Sequence, residues 1–413
     1  MALILWLAVA AALAVPAANR FQGALADAPG YDLAKFFLPA AQSVAAGGSP
    51  YAVTGYVYSP LVASILAPLA HRADVGAIWS AGQIGAGLLA ALGIAWGLFR
   101  SWTDWRTPVL FGVGGLTLFS NWVTTLDLRL GQIQLTVMLV LVVAWLAGRG
   151  RPGLAGAMIG VAGLIKTWPA FVVLWALRLR GRARRRGLVG FTVIGTLAVV
   201  LTLAAFGPGS VGDWADTTGS HSQQTQPVFS VWGVWKHVFA GGTRIDPWFV
   251  SPVLQVAATV VALALVVVLL VLTLRPARDE ALTLWHLMML GILLLPVAHF
   301  GYLLVPLPLL WIRIGRLLVR PRSLARDWAA AAAVAVWWLV CLRTPWSDLV
   351  DGTFGTTTYV AMLGSSFVAV TASVIANVAR DEVVEAREQL DGAGEPRNGQ
   401  ITHRRAHGVR SRA

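Results

Sequence analysis

The sequence predicts an all-α polytopic membrane protein, and three observations carry that expectation. Of its 413 residues, 57% are hydrophobic and 12% charged, with mean hydropathy +0.69, a balance found in integral membrane proteins. Apolar runs recur from end to end at about the length a helix needs to cross a roughly 30 Å hydrocarbon core. The runs lack the two-residue alternation of a barrel strand, and a helix satisfies its own backbone in lipid. The runs fall near residues 3–18, 57–71, 75–98, 107–125, 130–147, 153–177, 188–206, 250–274, 281–297, 299–316, 326–342 and 356–378. That is about 11–12 transmembrane helices within a membrane domain over 1–378, followed by a cytoplasmic, largely disordered tail over 379–413.

The first run ends in VPAAN, as a cleaved leader can, but it lacks a basic start and many spans follow, so a retained helix is expected. The single cysteine, Cys341, lies in a span and leaves no disulfide within one chain. A net charge of +13 raises the question of nucleic acid. Its distribution answers otherwise. Six arginines fall between Arg178 and Arg186, and Arg313, Arg316, Arg320, Arg322 and Arg326 form a second cluster, both placed between spans as cytoplasmic connectors are. That orientation puts the 19–56, 207–249 and 343–355 loops outside. It also puts Arg149 and Arg151 outside, a strain that a broken helix near Pro60 or Pro169 would relieve. The tail beyond Arg380 is rich in charge, Gly and Asn, and should hold no more than a helical extension near 380–390.

The longest polar interruption near the start, Asn19–Tyr58, holds Asp27, Asp32 and Lys35 and then SPYAVTGYVYSP. Within it DLAKFFLPAAQSVAAG reads as an interfacial amphipathic helix in the first outer loop, with Leu33, Phe36, Phe37 and Ala40 on its apolar face. Asp32 stands at its N-cap, where a carboxylate accepts backbone N–H bonds. A cap and a catalytic base are compatible roles. Tyr56 and Tyr58 suit an aromatic belt, and DLRLGQIQL places Asp127, Arg129, Gln132 and Gln134 at a helix start or, in the plainer reading, in a polar cap between two spans. No acid falls inside an assigned span, which counts against an ion-coupled transporter. Lys166, His286 and His299 lie near helix ends. No metal-ligand spacing, nucleotide-binding glycine loop or repeat is present.

The order D-L-x(4)-F-x(2)-AA, G-G-x-P-Y, Y-x-Y-S-P-L, L-G-Q-I-Q-L and G-L-I-K-T-W-P-A resembles glycosyltransferase family 87. His299, Phe300 and Tyr302 continue the pattern, and the likeness covers roughly residues 20–310. These are polytopic, polyprenol-phosphate-mannose-dependent α-mannosyltransferases of actinobacteria. The resemblance implies a GT-C fold and an extracytoplasmic active site in the plasma membrane, with an aspartate of the first outer loop as general base. By position that residue is Asp32.

It also implies a polyprenyl-phosphate hexose as donor and a glycolipid or lipid-linked glycan as acceptor, with no cofactor and no metal. His299 and Lys166 are then candidates for the donor phosphate, and Tyr58, Gln132 and Gln134 for sugar or acceptor. Asp27 is an alternative base. Asp213, Asp216, His221, Lys236 and Asp246 could shape the acceptor side. The chain departs from the family pattern at Ser59, at Gln134 and in SQQTQPVFSVWG. Two other readings fit the spans: a polymerase or ligase of lipid-linked glycans, and a transporter or flippase. The first concentrates arginines in outer loops, where Arg244 and Arg343 stand nearly alone here. The second does not account for the loop aspartate beside an interfacial helix.

Overall fold

The computed structural model describes residues 1–222, 229–240, 245–275, 281–319, 325–343 and 352–394, and no strand occurs among them. Among the described residues, seven helices are long and apolar enough to cross a membrane. They are α1 (Ala2–Ala26), α4 (Val75–Phe99), α9 (Gly181–Phe206), α12 (Pro252–Leu274), the run Phe300–Val319 that contains α14 (Pro308–Val319), the run Ala325–Arg343 that contains α15 (Ala325–Trp337), and the Gly355–Ala379 part of α16 (Gly352–Gly394). A pair bent by 65°, α5 (Arg106–Phe119) and α6 (Trp122–Leu130), makes an eighth if taken as one broken span.

The remaining expected spans are shorter. Residues 57–71 contain α3 (Pro60–Leu66) and a 3₁₀ turn, and residues 130–147 contain α7 (Gln134–Gly148). Residues 153–177 break into α8 (Pro152–Ile165) and a 3₁₀ stretch, Trp168–Arg178. Lys166 is extended at the break (φ −139, ψ 136), and Pro169 just beyond it cannot donate a helix hydrogen bond. α13 (Thr283–Leu294) is apolar on every side and buried along nearly its whole length, so it is a core helix that never meets lipid. The apolar outer faces belong instead to α9 and α12, where Val193, Val200, Val256 and Val260 are exposed.

Small residues set the closest helix crossing. A Cβ on Gly156 of α8 would meet the Gly187 carbonyl of α9 at 1.9 Å, and one on Gly190 would meet the Gly153 carbonyl at 2.0 Å. Backbones this close need glycine on both sides, as small-residue interfaces between membrane helices do. α16 continues to Gly394, so the extension expected near 380–390 is helical, and residues 395–413 lie outside the described residues.

The second arginine cluster is not wholly a connector. Arg313 and Arg316 lie inside α14. Arg313 is buried, donates to the Ser373 hydroxyl and carbonyl of α16, and stands 3.8 Å from Asp327 of α15. Paired in this way, a buried guanidinium is tolerated where a lone one would not be. Arg320 and Arg322 lie outside the described residues, whereas Arg180, Arg182 and Arg184–Arg186 are exposed at the start of α9, as expected.

The first loop forms a helical stretch whose opening turn, Leu33–Phe37, is a π-helix that runs into α2 (Leu38–Ala45). Leu33, Phe37, Ala40 and Ala41 are buried. Phe37 packs on Tyr58 (ring centroids 4.4 Å) and Trp79 (5.6 Å), so the apolar face expected from the sequence is turned onto the protein.

Candidate active site

Two glycines dock the first loop onto the α6–α7 turn. Gly131 ends α6 in the left-handed conformation (φ 71), with the Gln132 N–H bonded to the Asp127 carbonyl at 2.9 Å. A Cβ on Gly131 would meet Leu33 Cβ at 2.5 Å, and one on Gly30 (φ 76) would meet the Gly131 nitrogen at 2.8 Å. The two stretches of the chain therefore approach backbone to backbone, which brings Asp32 and Gln132, a hundred residues apart, into hydrogen-bond contact. The L-G-Q string is a helix end and a contact surface. It is not a helix start, as the sequence suggested, because α7 begins only at Gln134.

Gln132 is the hub. Its amide nitrogen donates to the Asp32 carboxylate, and its amide oxygen accepts from Lys166 Nζ at 3.1 Å and from the Tyr58 hydroxyl at 3.3 Å. Gln134 Nε2 lies 3.5 Å from the same oxygen, and Trp79 Nε1 donates to the Gln132 carbonyl at 3.2 Å. Its two ends thus join a carboxylate to an ammonium. Lys166, only 7% exposed, also lies over the rings of Tyr302 (4.6 Å) and Tyr58 (5.2 Å), where a cation meets the negative ring face.

Asp32 makes no side-chain cap bond, so the capping role open to it in the sequence is not the one it takes. Burial pushes its carboxyl above the ordinary range, while Lys166, the Gln132 hydrogen bond and Lys35 pull the other way.

These groups line a cavity of about 660 Å³, in the size range of small-molecule sites. All six residues singled out in the sequence, Asp32, Tyr58, Gln132, Gln134, Lys166 and His299, are in its wall. His299 precedes the 3₁₀ turn Phe300–Leu304 and meets the Tyr302 ring edge-on at 5.7 Å. A side chamber of about 200 Å³ shares Val57, Tyr58, Lys166 and Tyr302 with the cavity and adds the apolar surfaces of Trp168 and Leu295–Val297.

Other candidates fall elsewhere. Asp27 is paired with Arg129 at the surface and is not in the cavity wall, which leaves it poorly placed as a base. His286 is buried in α13 with its Nε2 2.7 Å from Ser373 Oγ, away from the cavity. Asp213, Asp216, Lys236 and Asp246 do not line the cavity, and the side chain of His221 and residues 223–228 of SQQTQPVFSVWG lie outside the described residues.

The sequence reading missed Asp127. The sequence places it in a polar cap between spans, with no acid expected inside one. Asp127 is 1% exposed on α6, within the broken span, and lines the cavity. The bend at Ser120–Asn121 that places it there leaves no pattern in hydropathy. With Asp127 buried in a broken span, the protein shares a buried acid with ion-coupled transporters.

A family model for glycosyltransferase family 87 matches residues 56–299, more than half of the chain. The chain belongs to glycosyltransferase family 87. A curated relative from Mycobacterium tuberculosis, a polyprenol-phosphate-mannose-dependent alpha-(1-2)-phosphatidylinositol pentamannoside mannosyltransferase, is 26% identical over 276 residues. That match covers 64% of this chain and 60% of the relative, so the chain spans about three fifths of that protein's length. Within this glycosyltransferase family, the matched stretch carries Tyr58, Gln132, Gln134, Lys166 and His299, while Asp32 lies just before it.

Proposed function

We propose that the chain is an inverting hexosyltransferase, taking mannose from a polyprenyl-phosphate donor to a glycolipid or lipid-linked glycan on the extracytoplasmic face of the plasma membrane. The observation that carries this reading is the cavity whose wall brings together Asp32, Lys166 and His299 from three distant stretches, with Gln132 joining the first two. Family membership supports the sugar transfer, and the relative's dependence on polyprenol-phosphate-mannose supports the donor class.

In this reading the Asp32 carboxylate takes the proton of an acceptor hydroxyl as its oxygen bonds to the donor C1. The bond between C1 and the phosphate oxygen breaks, and the charge gathering on the polyprenyl phosphate is met by the Lys166 ammonium and His299. Gln132 fixes the distance between base and cation. Lys166 stands in the wall shared by the two chambers, so a phosphate there would send the sugar toward Asp32 and the first isoprene units toward Trp168 and Leu295. A single displacement needs one base and no enzyme nucleophile, and it inverts C1, so a β-linked donor gives an α-linked product.

The test is transfer by the purified chain in lipid nanodiscs, using polyprenyl-phosphate carrying radiolabelled mannose and a phosphatidylinositol mannoside acceptor, with the product's anomer read by α-mannosidase digestion. Labelled α-linked glycolipid is expected. Absence of transfer from mannosyl and every other hexosyl donor would overturn the reading.

A further inference from the structure

Three acceptor atoms at one end of the cavity have no donor. Both Asp127 carboxylate oxygens and Gln134 Oε1 are buried without a hydrogen bond, and both residues line the cavity. The Gln134 backbone N–H faces the Asp127 carboxylate, and no side-chain donor reaches either of its oxygens. Gly301 closes over this end. A Cβ there would lie 3.0 Å from Asp127 Oδ1 and 3.6 Å from Gln134 Nε2, so the missing side chain leaves the approach clear. The other end is different in kind: Asp32, Lys166 and Tyr58 are all joined through Gln132.

A buried carboxylate lacking donors is costly to keep, and its cost falls when a ligand supplies them. A cluster of acceptors repels a phosphate, and calls for a neutral ligand rich in O–H groups. We infer that Asp127, with Gln134 beside it, is a specificity-determining residue that accepts hydrogen bonds from hydroxyl groups of a sugar ring bound under Gly301. This rests on the glycosyltransferase reading and extends it, since that reading gave Asp127 no role. The ring is either the hexose of the donor or the terminal sugar of the acceptor. The chemistry is shared, and kinetics tell the two apart.

The experiment compares wild type and Asp127→Asn in nanodiscs, varying each substrate at saturating levels of the other. It then repeats the comparison with donors and acceptors in which single hydroxyls are replaced by hydrogen. Asparagine keeps the shape but trades an acceptor for a donor. The expected result is a KM raised roughly 10–100-fold for one substrate, the size of a hydrogen bond to a charged group. A shift in the donor's KM assigns the donor hexose, and one in the acceptor's KM assigns the acceptor sugar. Among the deoxy analogues, one is penalised in wild type and loses that penalty in the variant, which a purely structural role would not produce.

If Asp127→Asn fails to fold, Gly301→Ala carries the test, since its methyl presses on Asp127 Oδ1 and blunts the same discrimination. Penalties that stay additive across both variants would overturn the inference. So would activity that a chelator abolishes and a divalent cation restores, with discrimination intact. Failure of the donor reading shows in wild type before any variant is compared, so the two failures are distinguishable.

Discussion

Replacing Gln132 by leucine removes a side chain that touches the cavity's carboxylate and its ammonium at once. The amide donates to Asp32 and accepts from Lys166 at 3.1 Å and from Tyr58 at 3.3 Å. Hydrogen bonds to ionised groups contribute about 1.5–3 kcal/mol each. The two charged contacts share one amide and are not additive, so kcat/KM should fall about 10²–10³-fold rather than by the full product.

The variant should also change the pH profile. A base works ionised, so activity rises with pH through the Asp32 pKa. Burial holds that pKa up and the Gln132 bond is one of the contacts lowering it, so its loss should move the acid limb to higher pH. Gln132→Glu places a second carboxylate beside Asp32 and should move the limb further in the same direction. The assay is initial rate of mannosyl transfer against pH, with thermal melting as a check on folding. A folded Gln132→Leu protein that keeps full activity, or loses it with an unmoved acid limb, would refute the reasoning.

Further outcomes follow from the same geometry. Lys166→Met should raise the donor's KM or lower kcat by about 10²-fold or more while sparing the acceptor's KM, with Lys166→Arg recovering part of it; steady-state kinetics in both substrates decides. Tyr58→Phe keeps the ring packed against Phe37 and removes the hydroxyl's bond to Gln132, a neutral contact of about 0.5–1.5 kcal/mol, so a loss of roughly 2–10-fold is expected in the same assay. Gly131→Ala adds a methyl 2.5 Å from Leu33 Cβ at φ 71, and should cost about 1–2 kcal/mol from the left-handed backbone alone, read as a lowered melting temperature. Sidedness can be read with Thr54→Cys, because Thr54 lines the cavity and Cys341 is buried: a membrane-impermeant maleimide should label intact cells, and labelling only after permeabilisation would place the cavity on the other face.

Much of the architecture can be read from hydropathy because lipid demands long apolar helices, and α1, α4, α9 and α12 answer that demand directly. Hydropathy fails where a helix is apolar because protein surrounds it. α13 is as greasy as a lipid-facing span, yet Trp285, Met288 and Met289 are wholly buried in protein. It fails again at breaks, since Lys166 and Asp127 owe their places to an interrupted α8 and a bent α5–α6 pair.

The cost of polar groups in an apolar chain singled out Lys166, His299 and also His286, which lies away from the cavity. Asp32 instead stood out in the polar first loop and took its role from the family resemblance. The partnership of Asp32 with Lys166 through Gln132 was not legible, because it depends on Gly30 and Gly131 letting two backbones touch. Arg313 shows the converse. It looked like a connector charge, but Ser373 on the distant α16, together with Asp327 on the next helix, turns it into a buried strut.

The central claim is that Asp32 takes the acceptor's proton in a polyprenyl-phosphate-dependent transfer. The measurement that meets it most directly is the rate of labelled mannose transfer in nanodiscs by wild type, Asp32→Asn and Asp32→Ala, each checked for normal insertion and melting. Both folded variants should lose transfer by about 10²–10⁴-fold, the usual weight of a general base, while still binding the donor. Wild-type rates in either folded variant would contradict it.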